Sequence, residues 1–256
     1  MWFAERYEGR GQLPNKVWLT NELREAALFK PDSKRLESEI ECHVYKIAVA
    51  LDIPHAITEF LEINSSEIQG MSGNERILTG TLSYNFKTDP NMDYVPVEEL
   101  FQESSGEISP SNYGFFEEMT TKSFTMENIQ NHLPVIEKDT VNMVFLDCLV
   151  SNRDRHGRNW EIMVDRNTNQ IVGVAPLFDN DKSMWNYHEP NNKNDFCRVP
   201  WKQGERPLKH YEMFERLAER YPDQVGNLLE KCKGVELHLF VQERHKAMQG
   251  IFQKVL

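Results

Sequence analysis

Hydrophobic positions recur along the chain with two different periods, and the change of period divides it. Residues 36–51 (LESEIECHVYKIAVAL) set Ile40, Val44, Ile47, Ala48 and Leu51 at helical spacing. Ser33 is a candidate N-cap, and Asp52-Ile53-Pro54 ends the helix. Before it, Val17-Trp18-Leu19 and the short apolar run ending at Lys30 (AALFKP) have the character of strands. After it, residues 55–61 (HAITEFL) and 77–86 (ILTGTLSYNF) do so again, separated by the polar, glycine-bearing stretch 64–76. These pieces predict a small sheet accompanied by one main helix. From residue 87 to about 111 the chain is polar and loop-like, so a boundary is expected near residues 86–95.

Beyond the boundary the helical period dominates. One helix opens at residues 125–129 and ends near Leu133-Pro134. Asp139 or Thr140 caps the next, which buries Val141, Val144, Phe145, Cys148 and Leu149. It runs into the polar stretch 151–159 (SNRDRHGRN). A β-hairpin is expected next, from 160–164 and 171–174 around the turn-rich DRNTNQ, leading to APLFDN. Residues 184–200 are rich in Asn and poor in apolar side chains. They are either a solvated loop or a segment that orders over a substrate, with Ser183 and Tyr187 as candidate phosphorylation sites. Residues 208–221, 223–233 and 234–256 form three amphipathic helices, with Phe214, Leu217, Tyr221, Val225, Leu228, Leu229 and Leu239 as core candidates. There is no internal repeat. The fold class is α+β, with residues 1–90 as a small β-rich unit and 91–256 as a larger, mostly helical one.

Charge narrows the function. A net charge of −11 over 256 residues disfavours broad binding to nucleic acid or to an anionic membrane surface, while leaving room for a local basic cleft. No apolar stretch approaches the roughly 18 residues of a membrane span, and the opening MWFAERYEGRGQ lacks the apolar core of a signal peptide. Four scattered cysteines without a C-x-x-C pair read as free thiols in a reducing cytoplasm.

Candidate chemistry concentrates in residues 151–159. A polar loop between a buried helix and a buried strand is where a rigid scaffold can hold reactive groups. Asp154 and Asn159 form D-x-x-x-x-N. In phosphoryl transfer the Asp orients the attacking hydroxyl and the Asn oxygen helps hold a magnesium ion. The bare spacing will occur by chance in many chains, and taken alone it is better read as a polar loop whose Asp and Asn cap a turn. The hairpin that follows delivers Asp179 just past its second strand, and a hairpin between a catalytic loop and a metal-binding Asp is the layout of a kinase site. Lys30 is either a strand-edge lysine with a snorkelling stem or the group that holds the α- and β-phosphates of ATP. In the second role it needs a carboxylate from the following helix. Glu37 and Glu41 share one helix face; Glu41, deeper in the helix, is preferred, and Glu39 points elsewhere. Gly9 and Gly11 are either a turn whose backbone approaches phosphates or an ordinary surface turn.

LFKP around Lys30, ALDIP ending at Pro54, NRDRHGRN at 152–159 and APLFD at 175–179 together resemble the HipA-like serine/threonine kinase family. The resemblance spans residues 28–180. It implies a bacterial enzyme with a two-lobed protein-kinase-like fold, of the compact kind without the further N-terminal domain of the toxin proper. It further implies transfer of the γ-phosphate of ATP, with Mg2+, to Ser/Thr hydroxyls of a protein substrate or of the enzyme itself, and an antitoxin-type partner. By position, Asp154 matches the catalytic Asp, Asn159 and Asp179 the metal ligands, and Lys30 the phosphate-binding lysine. The histidine follows the Asp (DRH), and Asn180-Asp181 stands where eukaryotic kinases carry Phe-Gly. His156 either orients the γ-phosphate or buttresses the loop; Arg155 and Arg158 either support the loop or contact phosphate. Two further readings remain: a lipid or small-molecule kinase with the same DRHxxN, and a non-catalytic nucleotide-binding module.

Overall fold

The fold was read from a computed structural model. It describes residues 2–4, 16–32, 36–69, 77–97, 134–155, 157–184, 202–203, 206–207, 209–235 and 237–256. The first sheet has six strands: β1 (Trp2–Ala4), β2 (Val17–Asn21), β3 (Ala26–Pro31), β4 (Thr58–Asn64), β5 (Ile68–Gln69) and β6 (Ile77–Tyr84). Their spatial order is β4-β6-β3-β2-β1-β5. All pairs are antiparallel except β1 with β5. Alternation along β3 sends Ala27 and Phe29 into a core with Leu19, Ile63, Leu78 and Leu82. Lys30, of opposite parity, leaves the sheet on its other face.

Gly80 on β6 lies opposite Pro31 at the end of β3. A Cβ there would come within 2.2 Å of the Lys30 carbonyl oxygen and 2.8 Å of Pro31 Cα. Only glycine permits this close approach of β6 to the end of β3.

Helix α1 (Leu36–Ala50) packs on β4 and β6. Its stripe of Ile40, Val44, Ile47 and Ala48, with Leu51 just beyond, does not join the sheet's core. It joins a larger core shared with the helices that follow. Asp52, at φ 56°, turns the chain out of α1. Lys231 closes that end, donating to Leu51 O at 3.2 Å and to the Asp52 carboxylate at 2.6 Å.

The second part holds a three-stranded antiparallel sheet, β7 (Met92–Pro96), β8 (Glu161–Asp165) and β9 (Gln170–Val174), with β8 in the middle. A short ribbon pairs β10 (Lys202–Gln203) with β11 (Arg206–Pro207). Helices α2 (Pro134–Val150), α3 (His210–Arg220), α4 (Pro222–Cys232) and α5 (Leu239–Val255) are the remaining α-helices among the described residues. The last three turns of α2 are buried on every side, from Val141 through Val150. That is why this helix is apolar all round and not striped. The wholly buried Trp160 follows the polar loop at the start of the β7–β8–β9 hairpin region. Among the described residues, no helix is long and apolar enough to cross a membrane.

Several elements differ from expectation. Helix α2 begins at Pro134, not at Asp139 or Thr140, because proline at a first helical position costs no hydrogen bond. Thr140 lies inside the helix, where its hydroxyl donates to Ile136 O at 2.7 Å. Strand β4 begins at Thr58, three residues later than His55. His55 makes instead an isolated parallel bridge to Leu177. The three-residue β1 is too short to announce itself by period. Ser33 and the helix expected at 125–129 lie outside the described residues.

Candidate active site

The sheet, α1 and the segment after β9 meet at Lys30. Its Nζ donates to Asp179 Oδ1 at 2.7 Å and lies 3.3 and 3.4 Å from the two oxygens of Glu41. Glu41 is 1% exposed, so its carboxylate depends on this lysine for a partner. Lys16 stands 3.9 Å from the other Asp179 oxygen. Burial by itself lowers the pKa of Lys30, but the charges of Asp179, Glu41 and Asp181 more than reverse this, and the ammonium is stabilised above its ordinary range. For Asp179, burial works against ionisation, yet Lys30 and Lys16 hold its carboxyl well below the usual carboxylate range. Asp181 goes the other way: burial and the negative charge of Asp179 push it up to about 6.

The two candidate glutamates on α1 are separated by their partners. Glu41 meets Lys30, whereas Glu37 accepts from Lys182 at 2.6 Å.

The 151–159 loop is held from beneath by Arg155, which is fully buried. Its Nε and Nη2 form a fork on Asp147, each at 3.1 Å. Nη1 donates to Asn159 O at 2.6 Å and to Phe178 O at 3.1 Å. Nη2 also reaches Asn180 Oδ1 at 2.6 Å. One guanidinium thus ties the residue preceding Asp179 to the residue that closes D-x-x-x-x-N. The remaining bonds are equally local. Asn152 Oδ1 accepts from the Asp154 N–H at 3.0 Å, and Asn152 O accepts from His210 Nε2 at 2.8 Å. Asn159 Nδ2 donates to Asp154 O at 3.0 Å. Ser151 and Asp179 both adopt positive φ, 55° and 58°, a conformation that Asp tolerates better than most side chains.

The structure therefore brings Lys30, Glu41 and Asp179 into direct contact, and links the Asp154–Asn159 loop to the Asp179 segment through Arg155. Asp154 is half-buried, Asn159 buried and Arg158 exposed. Arg155 supports the loop. Ser183 is 1% exposed, so it is no surface acceptor for phosphate. Gly9, Gly11, His156 and Tyr187 lie outside the described residues. Sequence reasoning missed Asp147, Asn180, His55 and His210. The first lies in an apolar helix run, where a lone buried carboxylate is itself a signal that a cation must face it. The others carried no periodic signal.

No protein-family model matches the sequence, and no curated protein does. Solved structures do match. The crystal structure of the Helicobacter pylori proinflammatory kinase CtkA superimposes with a TM-score of 0.52 at 16% identity, covering 95% of this chain and 92% of that one. The chain has the two-lobed fold of a compact protein kinase. A small β-rich lobe carries one main helix, and a larger lobe is mostly helical. Shewanella oneidensis HipA, solved with HipB and operator DNA, matches at a TM-score of 0.49 and 9% identity over 97% of this chain and 66% of that one. The Golgi casein kinase with Mn/ADP bound matches at 0.47 and 11% identity, over 99% and 70%. In this chain β3 and α1 supply Lys30 and Glu41, residues 151–159 lie between α2 and β8, and Asp179 follows β9.

Proposed function

We propose that this chain is an ATP- and magnesium-dependent kinase that phosphorylates Ser/Thr hydroxyls of a protein, itself included, with residues 1–90 and 91–256 as its lobes. The observation that carries this reading is the contact of Lys30 with both Glu41 and Asp179. It aims a permanent positive charge, fixed by a buried carboxylate, beside an ionised aspartate.

The residues fit a magnesium ion. Asn159 spends its amide nitrogen on Asp154 O, which leaves Oδ1 as its free end, and Asp179 is held ionised. Both offer the hard oxygens that magnesium takes, and these two residues would hold it. The ion would neutralise charge on the transferring phosphoryl group. Lys30 holds the α- and β-phosphates, Asp154 orients the acceptor hydroxyl and takes its proton, and His156 and Arg158 lie on the same loop. Positioning and charge neutralisation supply most of the acceleration.

The test is incubation of purified protein with magnesium and γ-labelled ATP, beside Asp154→Ala, Asp179→Ala and Lys30→Met variants, followed by intact mass and peptide mapping. Phosphate gained by the wild type alone supports the reading. Phosphate retained in a well-folded Asp179→Ala variant refutes it. Transfer to an inositol lipid or a sugar, and not to protein, reassigns the acceptor.

A further inference from the structure

The buried polar groups around Asp179 have their donors and acceptors fixed, one by the next. The Asp154 N–H points at the Asn152 side chain at 3.0 Å, so the atom it meets is the oxygen, Oδ1. Asn152 Nδ2 then faces Asp147 Oδ1 and Asn180 Oδ1, each at 3.0 Å. Arg155 Nη2 can only donate, and it stands 2.6 Å from the same Asn180 atom. That atom is therefore oxygen, and the Asn180 nitrogen is the one 2.7 Å from His55 Nε2. An amide nitrogen has no lone pair to offer, so Nε2 must be bare and the ring proton must sit on Nδ1. There it donates to Ala56 O at 2.8 Å. Ala56 N–H in turn donates to Leu177 O at 2.8 Å, and Leu177 N–H to Pro54 O at 2.9 Å. The path closes around Asp179, entering it through Leu177 and leaving it through Asn180.

We propose that Asn180 is a positioning residue. Its amide joins the 151–159 loop to His55 and the 54–56 segment, and so fixes where the Asp179 carboxylate stands. This rests on the kinase reading of the site. A short amide is the side chain that fits, because the junction needs an acceptor for two donors on one side and a donor to an imidazole lone pair on the other. An aspartate would satisfy Arg155 and Asn152 but would set a carboxylate against the bare Nε2. The groups that bear on His55 are the cations Arg155 and Lys30, with the Tyr45 ring 5.7 Å away. Burial, with those two cations, lowers its pKa to about 4 despite the bond to Ala56, in keeping with a neutral ring.

The experiment uses the full chain labelled with 15N in its histidine rings, wild type beside Asn180→Asp and Asn180→Leu, with His55→Gln to assign the His55 signals. Wild type is expected to show His55 as the neutral Nδ1–H tautomer from pH 8 to pH 5. Asn180→Asp is expected to convert it to the Nε2–H form or the imidazolium. In both Asn180 variants kcat for phosphate transfer should fall by roughly 10–100-fold, the range for residues that orient a ligand group. KM for ATP should move far less, as expected when transition-state alignment and not ground-state binding is lost. If Asn180→Leu does not fold, Asn180→Asp carries the kinetic test. An Nε2–H tautomer in the wild type, an unchanged tautomer in Asn180→Asp, or a wild-type kcat in a folded Asn180 variant overturns the proposal. A wild type that binds ATP but transfers nothing refutes the kinase reading instead, and the tautomer spectra still decide the junction.

Discussion

Arg155→Met is the perturbation whose cost can be worked most directly from the structure. The guanidinium is 0% exposed, and its partner Asp147 has a side chain only 2% exposed. Removing the cation strands a carboxylate that keeps Asn152 Nδ2, at 3.0 Å, as its donor. Breaking one side of a buried ion pair costs about 3–5 kcal/mol. The carbonyls of Asn159 and Phe178 also lose a donor, and each unsatisfied acceptor adds about 1–3 kcal/mol where water cannot reach it. The sum is comparable with the whole stability of a typical domain, about 5–15 kcal/mol. Arg155→Met is therefore expected to unfold at far lower urea concentration than wild type, followed through the buried Trp160. Arg155→Lys, which keeps the charge but not the fork, should lose less. Asp147→Asn should lose a few kcal/mol alone, yet Asp147→Asn with Arg155→Met should be more stable than additivity allows, by about 2–3 kcal/mol, since no charge is then stranded. A loss below about 1 kcal/mol in Arg155→Met, where surface substitutions fall, or strict additivity in the double variant, would refute the claim that this pair organises the loop.

Other consequences follow from the same geometry. Glu41→Gln should lower kcat/KM for ATP by about 10–100-fold, the equivalent of a charge-assisted hydrogen bond, while Glu37→Gln, whose carboxylate meets the part-exposed Lys182, should stay near wild type; equal effects would undo the assignment of partners on α1. Gly80→Ala should destabilise by about 1–3 kcal/mol or more, as overpacked sites do, and weaken ATP binding by shifting β3. An unchanged thermal midpoint would contradict the 2.2 Å approach. His55 is neutral in the fold down to about pH 4 against an ordinary 6.5. The native state thus binds its proton less tightly than the unfolded chain. That contribution is fully present above pH 6.5 and is lost as pH falls through 4, by about 3 kcal/mol at most. Comparing urea midpoints of wild type and His55→Gln between pH 7 and pH 4 measures it, and parallel curves would show that His55 is not the group responsible.

The sequence by itself determined the order of elements and the residue types at the site. Helical spacing exposed α1, and alternation and turn residues exposed the β8–β9 hairpin. Those signals are local, arising from side chains a few positions apart that share a face. The polar runs around Asp154 and Asp179 stood out because ionisable groups seldom interrupt apolar segments without a use. Pairing was decided only in the tertiary structure. Glu37 and Glu41 share one helix face, and position along the helix favours Glu41 for Lys30; that Glu37 meets Lys182 was decided only where the segment after β9 comes to rest. Asp147 met its partner only when folding laid Arg155 across it. Asn180 and His55 are far apart in the chain, and what joins them is a hydrogen bond whose direction follows from every other donor in the cluster. Such long-range polar contacts leave no periodic trace, because each depends on where two separately folded segments come to rest.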